Sequence, residues 1–255
     1  MSIFYFINLY ILSKINYILY IEGMGIQSTF KILGLCLLVI IVLCSFLLEK
    51  APENKISPST NTVNNSDKNH KEMMKDNKFW VLWLIYTLAT TGGMMLIDHA
   101  AGIVNDFSLG DAASIIMMTA VANTARRIVW GMISDKIGRF ITVVLMFIVS
   151  GTVLMLLNFN QGLGSTAGVI GMLLIYLSFG GFLGAFPGIT GENWGTTYAS
   201  SNYGWMFTAY GIAAIVGPQI ASATGYSMAF IVSTIMSGIG IILMLSFMAK
   251  SKSKA

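Results

Sequence analysis

Charge is scarce in this sequence. Lysine, arginine, aspartate and glutamate make up 10 % of its 255 residues, against about a quarter in an ordinary soluble domain. Hydrophobic residues make up 55 %, and the mean hydropathy is +0.74. Such a chain cannot hide its apolar surface by folding alone in water. Cysteine is scarce too: Cys36 and Cys44, eight apart in one apolar run, fit neither a metal site nor a disulfide framework and read as helix-packing residues. Short alternating segments of the kind that build a membrane β-barrel do not stand out. The first 25 residues have neither a basic n-region nor a small-residue cleavage site, which argues against a signal peptide. Carboxylates are missing from the middle of the apolar runs, which disfavours proton coupling here. Asp98 and His99 are adjacent near a span end, diverge by about 100° on a helix and have no nucleophile or metal set beside them. No enzyme, cofactor or metal is therefore expected.

What is present is a series of uncharged runs of about 20 residues, each long enough to cross roughly 30 Å of hydrocarbon as a helix. The fold class is an all-α polytopic membrane protein. Spans are expected near 31–48, 79–103, 112–133, 140–158, 166–188, 200–222 and 226–248, with mostly short connections that make sequential helices antiparallel neighbours. Between the first two lies 50–78, rich in Pro, Ser, Asn and alternating charge, which reads as a flexible linker. Residues 1–25 are Ile/Tyr/Asn-rich and read equally as an eighth span interrupted by Lys14 or as a stretch outside the fold.

Basic residues occupy every second connection. They fall in the linker (Lys50, Lys55, Lys68, Lys71, Lys75, Lys78), at the 133–140 turn (Lys136, Arg139) and in the tail (Lys250, Lys252, Lys254), and are missing from 104–111, 159–165 and 223–225. The positive-inside rule puts the linker, that turn and the C-terminus in the cytoplasm, with the loop at 189–199 on the same side. The net charge of +4 is explained by topology, and nucleic acid is not a partner. The bilayer is.

Two adjacent arginines, Arg126 and Arg127, lie inside the third of these spans. Arg127 is nine residues before Lys136, about 13 Å along a helix and so close to the midplane. A charge at that depth costs from ~3 to over 10 kcal/mol against lipid and is expected to face a cavity or a partner. Asn123 and Gly131 share its face, whereas Arg126 points about 100° away and reads more readily as a snorkelling or structural cation. A guanidinium accepts a carboxylate through two parallel hydrogen bonds, so the expected ligand is a small organic anion. Tyr86, Thr90, Tyr203, Phe207 and Tyr210 are the candidate lining, phenols and hydroxyls that can hold a second oxygen without adding charge. Each aromatic also fits ordinary helix packing. Gly180, Gly184 and Gly188 recur every fourth residue, and Gly184, Pro187, Gly211, Gly217 and Pro218 mark bends and sliding contacts.

The stretch from Gly131 through Asp135, Lys136 and Gly138 to Arg139 resembles the G-x-x-x-D-(K/R)-x-G-(R/K) signature of major facilitator superfamily transporters, found between their second and third helices and again between the eighth and ninth. More narrowly, ANTARRIVWGMISDKIGR followed by SSNYGWMFTAYGIAAIVGPQIA resembles the C-terminal half of the oxalate/formate antiporter family, over about 28–249. The resemblance implies spans six to twelve of a twelve-helix bundle. Its divisions are an apolar segment at 1–25, a span at 26–49, a cytoplasmic linker at 50–78, a six-helix transporter half at 79–249 and a basic cytoplasmic tail at 250–255. It implies a multi-pass plasma-membrane carrier, or its C-terminal half, exchanging small carboxylates by alternating access against an N-terminal half that this chain lacks. The contrary reading is a truncated remnant or interaction partner that transports nothing. The resemblance makes Arg127 the substrate arginine and the 131–139 motif the gate, where Gly131 would permit close helix contact. Two departures stand out: Arg126 occupies a place where a small residue is usual, and Tyr210 falls where oxalate-exchanging members carry a lysine.

Overall fold

The computed structural model describes residues 25–46, 67–158 and 164–252, and all secondary structure among them is helical: α1 Gly25–Ser45, α2 His70–Lys75, α3 Asn77–Asp98, α4 Ala100–Asp106, α5 Ala112–Ile137, α6 Arg139–Asn158, α7 Gly164–Trp194, α8 Ala199–Thr224 and α9 Tyr226–Lys252. The expectation for 1–25 lies outside the described residues except at its last position, and so do most of the linker and the end of the tail. The chain divides at 64/65 into two units. In the first, α1 carries an apolar helical run over Gly34–Ser45. In the second, α3, α6, α7, α8 and α9 are long and apolar enough to cross a membrane. The third and first expected spans, α5 and α1, fall outside that group, α5 because Arg126, Arg127, Asp135 and Lys136 lower its hydropathy.

Several boundaries differ from the sequence reading, each for a local reason. The span expected over 79–103 is interrupted at His99 (φ −103°, ψ 15°), whose Nε2 lies 3.2 Å from the Pro218 carbonyl on α8. The charged turn at 134–139 is helical up to Ile137 and reverses over Gly138 alone, whose φ of +87° suits glycine. Helix α7 runs six residues beyond the expected 188, straight through Pro187. The linker's last dozen residues are ordered. Asn69 caps α2 by accepting from the Lys71 and Glu72 amides while Glu72 accepts from the Asn69 amide, and Asp76 caps α3.

Sequential helices are not the principal neighbours. The most extensive contacts are α6 with α9, α3 with α8 and α5 with α7, followed by α6 with α7. Glycine decides these pairings. A Cβ at Gly217 would stand 2.6 Å from the Thr91 carbonyl oxygen of α3, one at Gly240 would meet the Phe147 ring of α6, and those at Gly180 and Gly181 would meet Arg126 and Trp130 of α5. Helices that approach this closely gain dispersion contacts that lipid cannot supply. Hydrogen bonds add register: Trp83 Nε1 donates to Thr208 Oγ1 (2.9 Å), Trp130 Nε1 to the Leu177 carbonyl (3.1 Å) and Thr234 Oγ1 to the Gly151 carbonyl (3.3 Å).

Two apolar clusters fill the six-helix unit. One gathers Met73, Phe79, Trp130, Phe147, Phe186, Trp194 and Phe247; the other Met95, Ile103, Leu109, Tyr176 and Phe230. Several buried threonines and serines turn their hydroxyls onto their own helix, as Thr190 does to the Phe186 carbonyl and Ser237 to the Ser233 carbonyl. Leu84, Ile128, Ile215 and Ile242 are exposed, as helix faces meeting acyl chains should be.

Contacts also sort the connections by end. Asp67 accepts from the Thr197 amide (3.1 Å) and hydroxyl (2.5 Å), the Lys68 amide donates to the Trp194 carbonyl, and Asn202 donates to the Lys68 carbonyl. Arg139 pairs with Glu192 at 2.6 Å, and Phe140 meets Phe247. The linker's end, the Gly138 turn, the 195–198 connection and the last turns of α9 therefore share one end of the bundle, and that end holds the lysines.

Two predictions follow from this packing. Gly217→Ala should destabilise the bundle by about 1–3 kcal/mol in reversible SDS denaturation, because its Cβ meets backbone, whereas Gly211→Ala, with open space around it, should be neutral or mildly stabilising. The Thr197 hydroxyl and amide hold the Asp67 carboxyl below the usual carboxylate range. Its contribution is thus present above the unfolded value of about 3.9 and is lost as pH falls through the lowered folded value. Asp67→Asn should lower the melting temperature at pH 7, with the difference from wild type vanishing at strongly acid pH.

Candidate functional site

The aromatic residues singled out in α3 and α8 do come together. Tyr86 is buried on α3, and its hydroxyl lies 3.2 Å from that of Tyr203 on α8. Its ring stacks on Phe186 of α7 at 4.0 Å and tilts toward Phe207 at 6.5 Å. Phe207 in turn contacts Tyr203 at 5.6 Å and stacks on Tyr210 at 4.8 Å, and Tyr210 meets Phe179. The helical spacing of 203, 207 and 210 puts these rings on one stripe of α8, which faces Tyr86 because Gly217 lets the two helices close. Thr90 stands one turn from Tyr86, also buried, but its hydroxyl donates to the Tyr86 carbonyl at 2.8 Å. It braces the helix there.

Both arginines stand on α5, ten and eleven residues before its end at Ile137. The Arg127 side chain lies outside the described residues. Arg126 is half-buried, its Nη1 donates to the side-chain Oδ1 of Asn123, and its aliphatic stem lies across Gly180 of α7. Gly180, whose missing side chain makes the room for Arg126, is the signal in the sequence that could have found this placement.

Asn123 belongs with Arg126 and separates two spaces. On one side it lines a cavity of about 300 Å³ with Asp98, Thr119 and Tyr176. On the other, Arg126 lines a cavity of about 430 Å³ that reaches Ser134, Asp135 and Arg139. Three of the signature residues, Gly131, Asp135 and Arg139, thus border this second space. Gly131 and Gly184 open onto it, with no atom within 4 Å of a Cβ built at either. Among the described residues no helix meets Gly131, and the space beside it is open. Asp135 and Lys136 are exposed on the last turn of α5, and Gly138 supplies the reversal. Arg139 lies over Gly188 and pairs with Glu192, a carboxylate not singled out in the sequence because it had been assigned to a loop. Pro187 also borders the cavity, and Pro218 offers its carbonyl to His99.

Known proteins resemble this chain in sequence. The sequence profile of the Major Facilitator Superfamily matches residues 11–218. The oxalate:formate antiporter of Oxalobacter formigenes is 30 % identical over 234 residues, covering 89 % of this chain and 55 % of that protein. An uncharacterized MFS-type transporter of Escherichia coli strain K12, YhjX, is 29 % identical over 198 residues, covering 76 % of this chain and 49 % of its own. The chain spans about half the length of these relatives.

Proposed function

We propose, from the premise that the chain belongs to the Major Facilitator Superfamily, that its six-helix unit forms one wall of a carrier that binds small carboxylates and exchanges them across the membrane by alternating access. The other wall would come from a preceding six-helix half. The observation that carries this reading is the phenol cluster of α3 and α8 in the same bundle as Arg126: the Tyr86 hydroxyl neighbours that of Tyr203, and the Arg126 stem lies across Gly180 of α7, next in sequence to Phe179, which meets Tyr210.

The chemistry fits that ligand class. A guanidinium fork takes both oxygens of a carboxylate, and phenol hydroxyls can donate to a further oxygen without adding charge. Arg127 is the anchoring cation in this reading and Arg126 a second cation beside it, so a dianion as well as a monoanion could be balanced. Tyr210 stands on the aromatic stripe as a neutral donor, which leaves the positive charge to α5. The name of the Oxalobacter relative, an oxalate:formate antiporter, agrees with carboxylate exchange. The lysine-bearing end of the bundle would face the cytoplasm of a plasma-membrane protein, where the 131–139 motif would act at the inner gate.

The test is uptake of labelled oxalate and formate into vesicles preloaded with unlabelled anion and containing the chain together with the N-terminal six-helix half of a related carrier. Uptake should exceed that of empty vesicles and fall at least about tenfold in Arg127→Gln, the loss expected for a charge-assisted bidentate contact. Uptake of equal rate in Arg127→Gln would overturn the role of that arginine, and none for any carboxylate would favour a remnant that transports nothing.

A further inference from the structure

We infer that the 430 Å³ cavity between α5, α6 and α7 is a second carboxylate site, distinct from the phenol cluster, in which an anion rests between Arg126 and Arg139 on its way to the end of the bundle. Arg126 lines the inner part and Arg139 the part next to the Gly138 turn, with Ser134, Asp135 and Thr142 between. Along α5 alone, the distance from Arg126 to Ile137 is about 16 Å. The cavity therefore links the level of the phenol cluster to the lysine-bearing end.

Three features make this space suit an anion. First, its walls hold two guanidiniums against one carboxylate, Asp135. Second, two of its neutral donors are engaged within the protein, since Trp130 Nε1 donates to the Leu177 carbonyl and the Thr142 hydroxyl to the Gly138 carbonyl at 2.8 Å. The charged donors on its walls are the two guanidiniums, which Asn123 and Glu192 each engage at one nitrogen. Third, Gly131 and Gly184 leave the space open where any side chain would narrow it.

Arg139 gives the site a consequence for gating. Glu192 engages one nitrogen of its fork at 2.6 Å, and both side chains are nearly half exposed, so the pair is weakly held. A carboxylate in the cavity competes with Glu192 for the same guanidinium and loosens the tie between the start of α6 and the end of α7. Asp135 repels a second anion and keeps occupancy at one. The inference takes its ligand class from the carrier reading and shares Arg126 with it, while Arg139 belongs to this cavity alone.

The experiment places a thiol in the cavity. In the chain with Cys36→Ser and Cys44→Ser, Gly184→Cys projects into open space, and its modification is timed with an anionic and a cationic methanethiosulfonate reagent, with and without oxalate. The anionic reagent should react faster, oxalate should slow it, and Arg126→Gln or Arg139→Gln should each lower the anionic-to-cationic rate ratio by about fivefold. Arg139→Lys should keep the ratio but weaken oxalate protection, since the ammonium lacks the fork. A rate ratio indifferent to both arginines, or no protection by oxalate in the parent, would overturn the site. Protection that persists where vesicle uptake fails would uphold the site and remove only the carrier reading; uptake with no protection would do the reverse.

Discussion

Close approach through glycine is the constraint on which the rest of this bundle depends. Acyl chains are as apolar as leucine, so hydrophobicity does not tell one membrane helix which neighbour to choose. The choice falls to positions where backbones can nearly touch. Gly217 against the Thr91 carbonyl brings α8 to α3, Gly240 under Phe147 brings α9 to α6, and Gly180 with Gly181 brings α7 to α5. These pairings override chain order, and short loops only have to accommodate them.

The functional geometry follows from the same contacts. With α3 and α8 closed on Gly217, the stripe at 203, 207 and 210 faces Tyr86. With α7 offering Gly180 to α5, the Arg126 stem is accommodated across bare backbone, and its guanidinium stays inside the bundle. Gly131 and Gly184 serve the opposite end, keeping a space open beside the Gly138 reversal. Glycine thus does two things on α5 and α7: at 180 and 181 it lets mass in, and at 131 and 184 it keeps mass out.

Helix existence, helix order and the segregation of lysines to one end were all legible in the sequence, because hydropathy and charge are local properties. Family membership was legible too, through the 131–139 signature and the 200–221 stretch, and the profile match agrees. Helix ends were less legible. Glu192, Asn193 and Trp194 look like loop by hydropathy, yet Arg139 and Phe79 hold them in helix. The ordering of 67–76 could not be read either, since Asp67 is ordered by Thr197, 130 residues away. The placement of Arg126 was not legible for a related reason. Facing was counted from Arg127 on an isolated helix, whereas the Arg126 stem lies against a glycine on α7.

The most direct measurement of whether these α5 arginines form a carboxylate site is the melting temperature of the purified chain against a panel of small carboxylates, with Arg127→Gln and Arg126→Gln alongside. A ligand that binds only the folded bundle, present at a hundred times its dissociation constant, stabilises it by about 2.7 kcal/mol. The expected result is a rise with oxalate or a close analogue that shrinks in either variant and disappears in the double variant. An equal rise in the double variant, or no rise with any carboxylate, would contradict the assignment of anion binding to these arginines.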